Sequence, residues 1–409
     1  MDTPTSAPAG APQRLMSLDA LRGFDMFWIL GADSFVAALH ETTKNPVTNF
    51  LGYQLDHAEW QGFHFYDLIF PMFVFIMGVS TVFSLTKIIA REGRAAAVKR
   101  VLLRGALLFI VALIYSGGCT KPWPDMRLMG VLNRIALCYT FGGLLFIFCN
   151  VRVLVATAAA LLLGYWAMLA LVPFPDVRPT PGGTAPISLD TGFKSVSQLN
   201  LDSTNYLRGS YIQGVNLTDY LDQKYLPGRK YDGTYDPEGI LSTLPACVTG
   251  LLGIFTGLLL RGKSLPDERK AVLLIGAGAA SAALGWLWGL EMPVIKKIWT
   301  SSYVLVAGGY SAMLLGLFYW IVDVKKKTVW CQPFVWIGMN PITLYLTSNL
   351  LGGGGYDKLA LRVAGGSVRT FLDTHVADGF GGVVVAAVGV ALFIWFARFL
   401  YQRKIFLRL

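Results

Sequence analysis

Ten apolar runs recur along this 409-residue chain, each close to the length needed to cross a hydrocarbon core about 30 Å thick. They lie at roughly 24–40, 65–86, 101–116, 129–149, 153–172, 240–260, 271–290, 302–322, 331–350 and 380–400. No water reaches backbone amides inside a bilayer, so a spanning segment is either a helix or a strand of a closed barrel. Barrel strands read as short alternating segments, whereas these runs are continuous. The expected fold is therefore an all-α polytopic membrane protein with about ten transmembrane helices. Composition agrees, because 54% of residues are hydrophobic and only 15% charged, against roughly 25% charged in a soluble domain.

Charge placement orients the helices. If both termini are cytoplasmic, the connection at 87–104 faces the cytoplasm, and it carries six bases against the single acid Glu92. Arg152, then Arg261, Lys263, Arg269 and Lys270, then Lys325–Lys327, and finally the basic C-terminus fall on the same side. The segments on the other side are mixed or acidic, and 173–238 holds six bases against eight acids. This is the positive-inside pattern. It also accounts for the net charge of +10 through anionic lipid headgroups, so no nucleic-acid partner is expected. The five cysteines show no CxxC spacing, so neither a metal site nor a disulfide framework is expected. The first run carries no cleavage-like site, so no cleavable leader is expected either.

Four stretches follow: a Pro/Ala/Thr tail at 1–13, helices 1–5 over 14–172, a loop over 173–238, and helices 6–10 over 239–409. A loop of that length is usually functional or disordered. Its aromatics, among them Phe193, Tyr206, Tyr211, Tyr220 and Tyr235, argue for an ordered extracytoplasmic cap. Its Asn216-Leu217-Thr218 sequon is common by chance. Gly352–Gly355 reads as a turn after helix 9.

Ionisable groups at membrane depth cost several kcal/mol, so those that persist are functional candidates. Asp19 and Arg22, spaced i, i+3 at the start of helix 1, pair on one face, with a plain interfacial ion pair as the alternative. Asp33 lies deeper with no base near it in sequence. His57, Trp60, His64 and Asp67 crowd the entry to helix 2, and a helix starting near His57 would align them. An aromatic belt is the plainer reading of Trp60. Pro71 removes the helical partner of the Asp67 carbonyl. In helix 4, Arg134 offers a bidentate fork for an acid or a phosphate, or else a partner for Asp33 or Asp67, and Asn133 adjoins it. Tyr235, Asp236 and Glu238 precede helix 6, where acids in a first turn are ordinary helix chemistry. Trp299, Ser302 and Tyr303 enter helix 8, and Asn340-Pro341 breaks helix 9, a usual way to build a polar pocket at depth.

Six collinear segments carry a resemblance: SLDALRG (17–23), HAEWQGFHFYDLIFPMFVFIMG (57–78), DMRLMGVLNRIALCY (125–139), YDPEGILSTLP (235–245), KKIWTSSYVL (296–305) and GMNPITLYL (338–346). Together they resemble the heparan-α-glucosaminide N-acetyltransferase family, within the transmembrane acyltransferases, and the chain looks like the core of a bacterial member. The resemblance implies transfer of acetyl from cytoplasmic acetyl-CoA to the amine of a glucosamine-type sugar on the far side, by a homodimer in a bacterial inner membrane. It places His57 at the family's catalytic histidine, on the periplasmic side, and Asp19 at its first-helix aspartate. Asp33 stands where the lysosomal enzyme has asparagine, and Asp19 and Asp33 are expected to be catalytic with His57. Arg22, Asn133, Arg134 and Asn340 are then expected to serve acetyl-CoA. Trp60, His64, Asp67, Tyr235, Asp236, Glu238, Trp299, Ser302 and Tyr303 are expected to serve the amino-sugar or glycan acceptor.

The chemistry agrees with this. Amine acylation needs the ammonium deprotonated, which suits histidine, and an oxyanion donor, for which Asn133, Asn340 and Ser302 are candidates. Two other readings stay open from sequence: an amino-sugar or wall-fragment transporter using Asp19, Asp33 and Asp67 as a proton relay, and an O-acyltransferase of a surface glycan.

Overall fold

A computed structural model describes residues 15–179, 186–189, 192, 194–350 and 355–407; the expected 1–13 tail, Phe193 and Gly352–Gly354 lie outside the described residues. All ten apolar runs fall on helix. By length and composition, seven helices among the described residues suffice to cross a membrane. One of these, Phe65–Tyr115, carries two of the runs as a single element. Its α4 (Ile69–Tyr115) breaks at Gly93, where φ is 85° and ψ 175°, inside the basic connection. The protein is an integral membrane protein.

Two runs form interrupted helices. The first divides into α1 (Met16–Phe27) and α2 (Asp33–Thr43), joined by a kink over Trp28–Ala32 where Gly31 adopts φ 136°. The ninth divides into α11 (Gln332–Gly338) and α12 (Pro341–Leu350), so the expected break at Asn340-Pro341 is present. Between them run α5 (Val131–Phe148), α6 (Val151–Leu171), α8 (Thr243–Arg261), α9 (Asp267–Trp288) and α10 (Ser301–Phe318). The last run is α15 (Phe380–Gln402).

Some helices carry no long apolar run and so escaped the sequence reading. In α3 (Pro46–Gln54), Asn45 accepts hydrogen bonds from the Val47 and Thr48 amides, both at 3.0 Å, and Pro46 occupies the first turn, a strong N-terminal signature. The others are α7 (Leu217–Tyr225), α13 (Gly355–Ala364) and α14 (Ser367–His375).

Small residues set the helix packing, as expected where lipid is as apolar as the side chains. A Cβ on Gly78 of α4 would strike the Gly250 carbonyl of α8, and one on Gly253 would strike the Phe75 carbonyl. Gly23 of α1 and Gly338 of α11 abut each other's backbones in the same way. The largest buried cluster draws on α4, α5, α8 and α10. By contrast α6 and α9 expose Val155, Leu163, Val272 and Leu284, which is the surface a lipid-facing helix presents.

The described residues between α6 and α8 fold over one end of the bundle. Strands β1 (Phe174–Pro175) and β2 (Tyr206–Leu207) pair antiparallel, and Phe174, Val177, Ile187, Val215, Leu217 and Tyr220 make a small core. Asn216 is fully buried; it accepts from the Asp219 amide at 2.9 Å and donates to the Ile212 carbonyl at 3.0 Å. The sequon asparagine is therefore the cap of α7. Tyr165 of α6 joins this layer to the bundle through the Thr218 hydroxyl at 2.9 Å.

Candidate active site

The helix expected to begin near His57 begins later. Residues 55–64 form a loop, a 3-10 turn covers Phe65–Leu68, and α4 starts at Ile69. Pro71 thus sits in a first turn, where proline is tolerated. The Asp67 carbonyl it leaves free accepts from the Tyr303 hydroxyl at 2.7 Å.

Asp67 is the hub. It is almost wholly buried, and its Oδ2 accepts from the backbone amides of Ala58 (3.2 Å) and His64 (3.0 Å). These two bonds cap the 3-10 turn and fold the loop back on itself. Its Oδ1 lies 2.8 Å from His57 Nδ1 and 3.2 Å from Lys296 Nζ. The carboxylate is thereby aimed by backbone, and it in turn aims the imidazole. His57 is half-exposed, and its ring lies 4.8 Å from that of Tyr66. The Tyr66 hydroxyl donates to Asp33 Oδ2 at 2.8 Å. Asp33 consequently finds a partner on another element, as its depth required, but that partner is a phenol and not a base.

Lys296 arrives on the loop between α9 and α10. Gln61 and Ile295 form an antiparallel bridge, and the Gly62 amide donates to the Val294 carbonyl at 2.9 Å. Gly62 adopts φ 119°, a conformation open chiefly to glycine. The two loops are so zipped that Lys296 Nζ stands 3.0 Å from His57 Nδ1 and 3.4 Å from Nε2. Burial lowers the Lys296 ammonium pKa from its ordinary value, opposed by Asp67 and Glu238. Trp299 follows in the left-handed region at φ 51°, at a cost of roughly 1–2 kcal/mol. Its indole is buried edge-on to Phe70 and Tyr303 and donates to Thr249 at 3.2 Å.

These groups open on a cavity of about 500 Å³. Its mouth carries His57, Asp67, Lys296, Lys297, Arg127 and Glu238, while its deeper wall is apolar, with Phe70, Phe73, Leu132, Ile135 and Ile342. Tyr115 and Tyr345, stacked at 4.7 Å, line it too. Arg127 donates to Asp236 at 2.8 and 2.7 Å and also to Glu238. Its pKa is raised: the two carboxylates outweigh burial, the largest influence, which acts in the opposite direction. Burial raises the Glu238 carboxyl, with Asp236 adding to it and Arg127 opposing. Lys297 pairs with Asp232 at 2.9 Å.

Of the residues singled out from sequence, His57, Asp67, Glu238 and Trp299 line this cavity. Asp33, Asp236 and Tyr303 touch lining residues. Trp60 donates to the Tyr211 carbonyl at 2.7 Å and lies edge-on to Tyr235, pinning the His57 loop to the outer layer. Tyr235 is fully buried and accepts from Gln213 at 2.7 Å. His64 bonds the Asp56 carbonyl at 3.0 Å and packs on Tyr53. Ser302 donates to the Pro293 carbonyl at 3.1 Å. Arg134 is fully buried over the Trp299 ring and donates to Ser242 and the Gly239 carbonyl; it contacts neither Asp33 nor Asp67. Asn133 donates weakly to the Phe109 carbonyl at 3.4 Å. Asn340 is buried, with no hydrogen bond to its side-chain amide among the described residues.

Asp19 and Arg22 belong to another place. They pair at 3.2 Å, and Arg22 donates to Ser80 at 2.7 Å and the Gly338 carbonyl at 3.3 Å. Ser80 lies thirteen residues beyond Asp67, which is about 20 Å of helix. The sequence reading passed over Lys296, Arg127 and Tyr66 as individual groups. The lysines had a signal, since Lys296 and Lys297 sit on a connection where the positive-inside pattern disfavours bases.

Comparison with known proteins bears on this geometry. Residues 14–184 match the sequence model described as "Heparan-alpha-glucosaminide N-acetyltransferase, catalytic". The mouse heparan-alpha-glucosaminide N-acetyltransferase is 26% identical over 386 residues, covering 86% of this chain and 56% of the mouse protein. The human protein of that name is 28% identical over 376 residues, covering 82% and 52%. The chain is similar to the heparan-α-glucosaminide N-acetyltransferases. It spans a little over half the length of those curated relatives. The segment matched to the catalytic model contains His57, Asp67, Tyr66 and Asp33, and the cavity residues from Glu238 onward lie beyond it.

Proposed function

We propose that this protein is a transmembrane N-acetyltransferase that moves acetyl from acetyl-CoA on the cytoplasmic side to the amine of a glucosamine-type acceptor on the extracytoplasmic side, with His57 as general base. The observation that carries this reading is the His57–Asp67 pair at 2.8 Å, set at the mouth of an apolar cavity that enters the bundle. The family resemblance supplies the donor and acceptor classes.

The groups fit the reaction. The Asp67 carboxylate accepts from Nδ1–H of His57, which fixes the tautomer and leaves Nε2 with its lone pair for the incoming ammonium. As the nitrogen bonds to the thioester carbon and the C–S bond breaks, one of the ammonium's protons passes through Nε2 to the departing thiolate of CoA and the second is lost to water. The apolar depth of the cavity suits the slender acyl-pantetheine arm and excludes water that would hydrolyse the thioester. The Lys296 ammonium stands ready for negative charge on the carbonyl oxygen. Arg22 and the basic 87–104 connection serve the CoA phosphates. The carboxylates of Glu238 and Asp236 favour an acceptor that is cationic before it reacts. The protein works as a homodimer in a bacterial inner membrane, with Asp33 positioning Tyr66 against His57.

Purified protein in detergent, supplied with labelled acetyl-CoA, should acetylate glucosamine and leave N-acetylglucosamine, which has no free amine, untouched. His57→Ala should lower the rate by about 10²–10⁴-fold, the usual contribution of a positioned base, while acetyl-CoA still binds. Equal labelling of both sugars would mean O-acylation, and a His57→Ala enzyme of full activity would remove the histidine from the chemistry.

A further inference from the structure

A general base takes a proton across about 2.6–3.2 Å, so an acceptor amine has to come that near the imidazole. One primary amine already stands at the edge of that reach, 3.4 Å from Nε2, the nitrogen that the Asp67 contact leaves unprotonated. Lys296 Nζ lies 3.0 Å from Nδ1 and 3.4 Å from Nε2 of His57, and 3.2 Å from Asp67. It shares the cavity with His57, and about a fifth of its side chain (21%) is exposed, so a thioester that reaches the base also reaches this lysine. Its loop is fixed on both sides of it: the Gly62 amide holds the Val294 carbonyl at 2.9 Å, and the Ile295 amide donates to the Thr300 hydroxyl at 3.1 Å. Burial weakens its hold on the third proton, so a larger fraction is the nucleophilic free amine than in a solvated lysine.

We propose that Lys296 is a self-acetylation site, modified by the protein's own acetyl-CoA when no acceptor is present; this rests on the acetyl-transfer reading above. The Nζ lone pair attacks the thioester carbonyl carbon and a C–N bond forms. The C–S bond breaks with its electrons on sulfur, and the proton lost from nitrogen passes through His57 to the thiolate. Overall, a lysine ammonium and an acetyl thioester give an N-acetyl amide, free CoA thiol and one proton to water. The product is neutral, so the contact with Asp67 is lost, and the added acetyl group fills the mouth where an acceptor would sit. An enzyme charged with donor but starved of acceptor thereby switches itself off, and acceptor protects it.

Lys297 is the internal control. It lines the same cavity but is held by Asp232 at 2.9 Å, with no hydrogen bond to His57. The test incubates the full-length purified protein with isotopically labelled acetyl-CoA, without acceptor, and maps acetyl groups by peptide mass spectrometry. Labelling of Lys296 should exceed that of Lys297 by about 10²-fold, the lower end of what a positioned base contributes. Glucosamine should suppress it, and His57→Ala should abolish it. Equal labelling of the two lysines, or labelling that survives His57→Ala, would reduce it to unassisted chemistry and overturn the proposal. If glucosamine is acetylated while Lys296 stays unmodified, the self-acetylation idea fails and the transferase reading stands. If neither is acetylated although acetyl-CoA binds, both fail. Should His57→Ala not fold, the comparison of the two lysines within the wild type decides the matter alone.

Discussion

Asp67 and Asp222 show how differently two buried carboxylates are used. Asp67 is surrounded by donors, two backbone amides, an imidazole and an ammonium, and its charge is wanted. Asp222, on α7 and outside the membrane-length helices, is equally buried but keeps one oxygen without a hydrogen bond among the described residues. Burial pushes its carboxyl up to about 7, with Asp236 adding to this and the Ile240 amide, Arg134 and Lys230 opposing. An acid whose folded-state pKa exceeds its ordinary value favours the fold while protonated, and this contribution is lost as pH rises from about 4 through about 7. Fully ionised, it costs roughly 4 kcal/mol. Thermal unfolding followed from pH 5 to pH 8 should therefore show a falling midpoint, and Asp222→Asn should flatten the curve. An equal fall in both proteins would assign the effect to another group. In sequence, only one of the two aspartates stands out. Asp67 announced itself by lying in an apolar run beside histidines, whereas Asp222 looks like a surface residue of a polar helix.

At the scale of elements, the apolar runs were legible because a bilayer imposes a length and forbids unpaired backbone. The interruption at Asn340-Pro341 was legible for the same reason. What the sequence concealed is how loops meet. The bridge between Gln61 and Ile295 joins residues more than two hundred positions apart, and no periodicity records such a pairing, so Lys296 went unassigned. Arg127 is a similar case, for its partners lie on the segment leading into α8. Removing one member of a buried ion pair strands the other, at a cost of about 3–5 kcal/mol. Arg127→Ala leaves Asp236 and Glu238 together without their cation, so it should lower the unfolding midpoint and open the 173–238 layer to limited proteolysis. A variant as stable and as resistant as the wild type would show that other contacts, such as Trp60 with Tyr211, suffice to seat that layer.

For the whole molecule, the proposed orientation puts the basic break at Gly93 and the cap layer on opposite sides of the membrane. In a cysteine-free background, Tyr225→Cys on the exposed end of α7 should react with an impermeant maleimide in intact cells. Arg94→Cys, in the exposed basic segment, should react only after permeabilisation. The reverse result would invert the topology and put His57 on the cytoplasmic side. The two ends also divide the chemistry. Ser80, which Arg22 reaches from α1, lies about 20 Å along the helix from Asp67.

The first membrane helix carries carboxylates that serve both ends, and the kink at Trp28–Ala32, with Gly31 at φ 136°, lies between them. Gly31 takes the backbone out of helical geometry there, so the kink resets the heading of the turns that follow it. Upstream of it, Asp19 keeps the heading that meets Arg22; downstream, Asp33 is rotated onto Tyr66. Taking one residue out of this kink would leave every named side chain chemically intact, yet it would re-aim Asp33 away from the phenol it accepts from. Spacing here carries information that residue identity does not, and a relative that kept all the named side chains but lost that one position would have its two ends out of step.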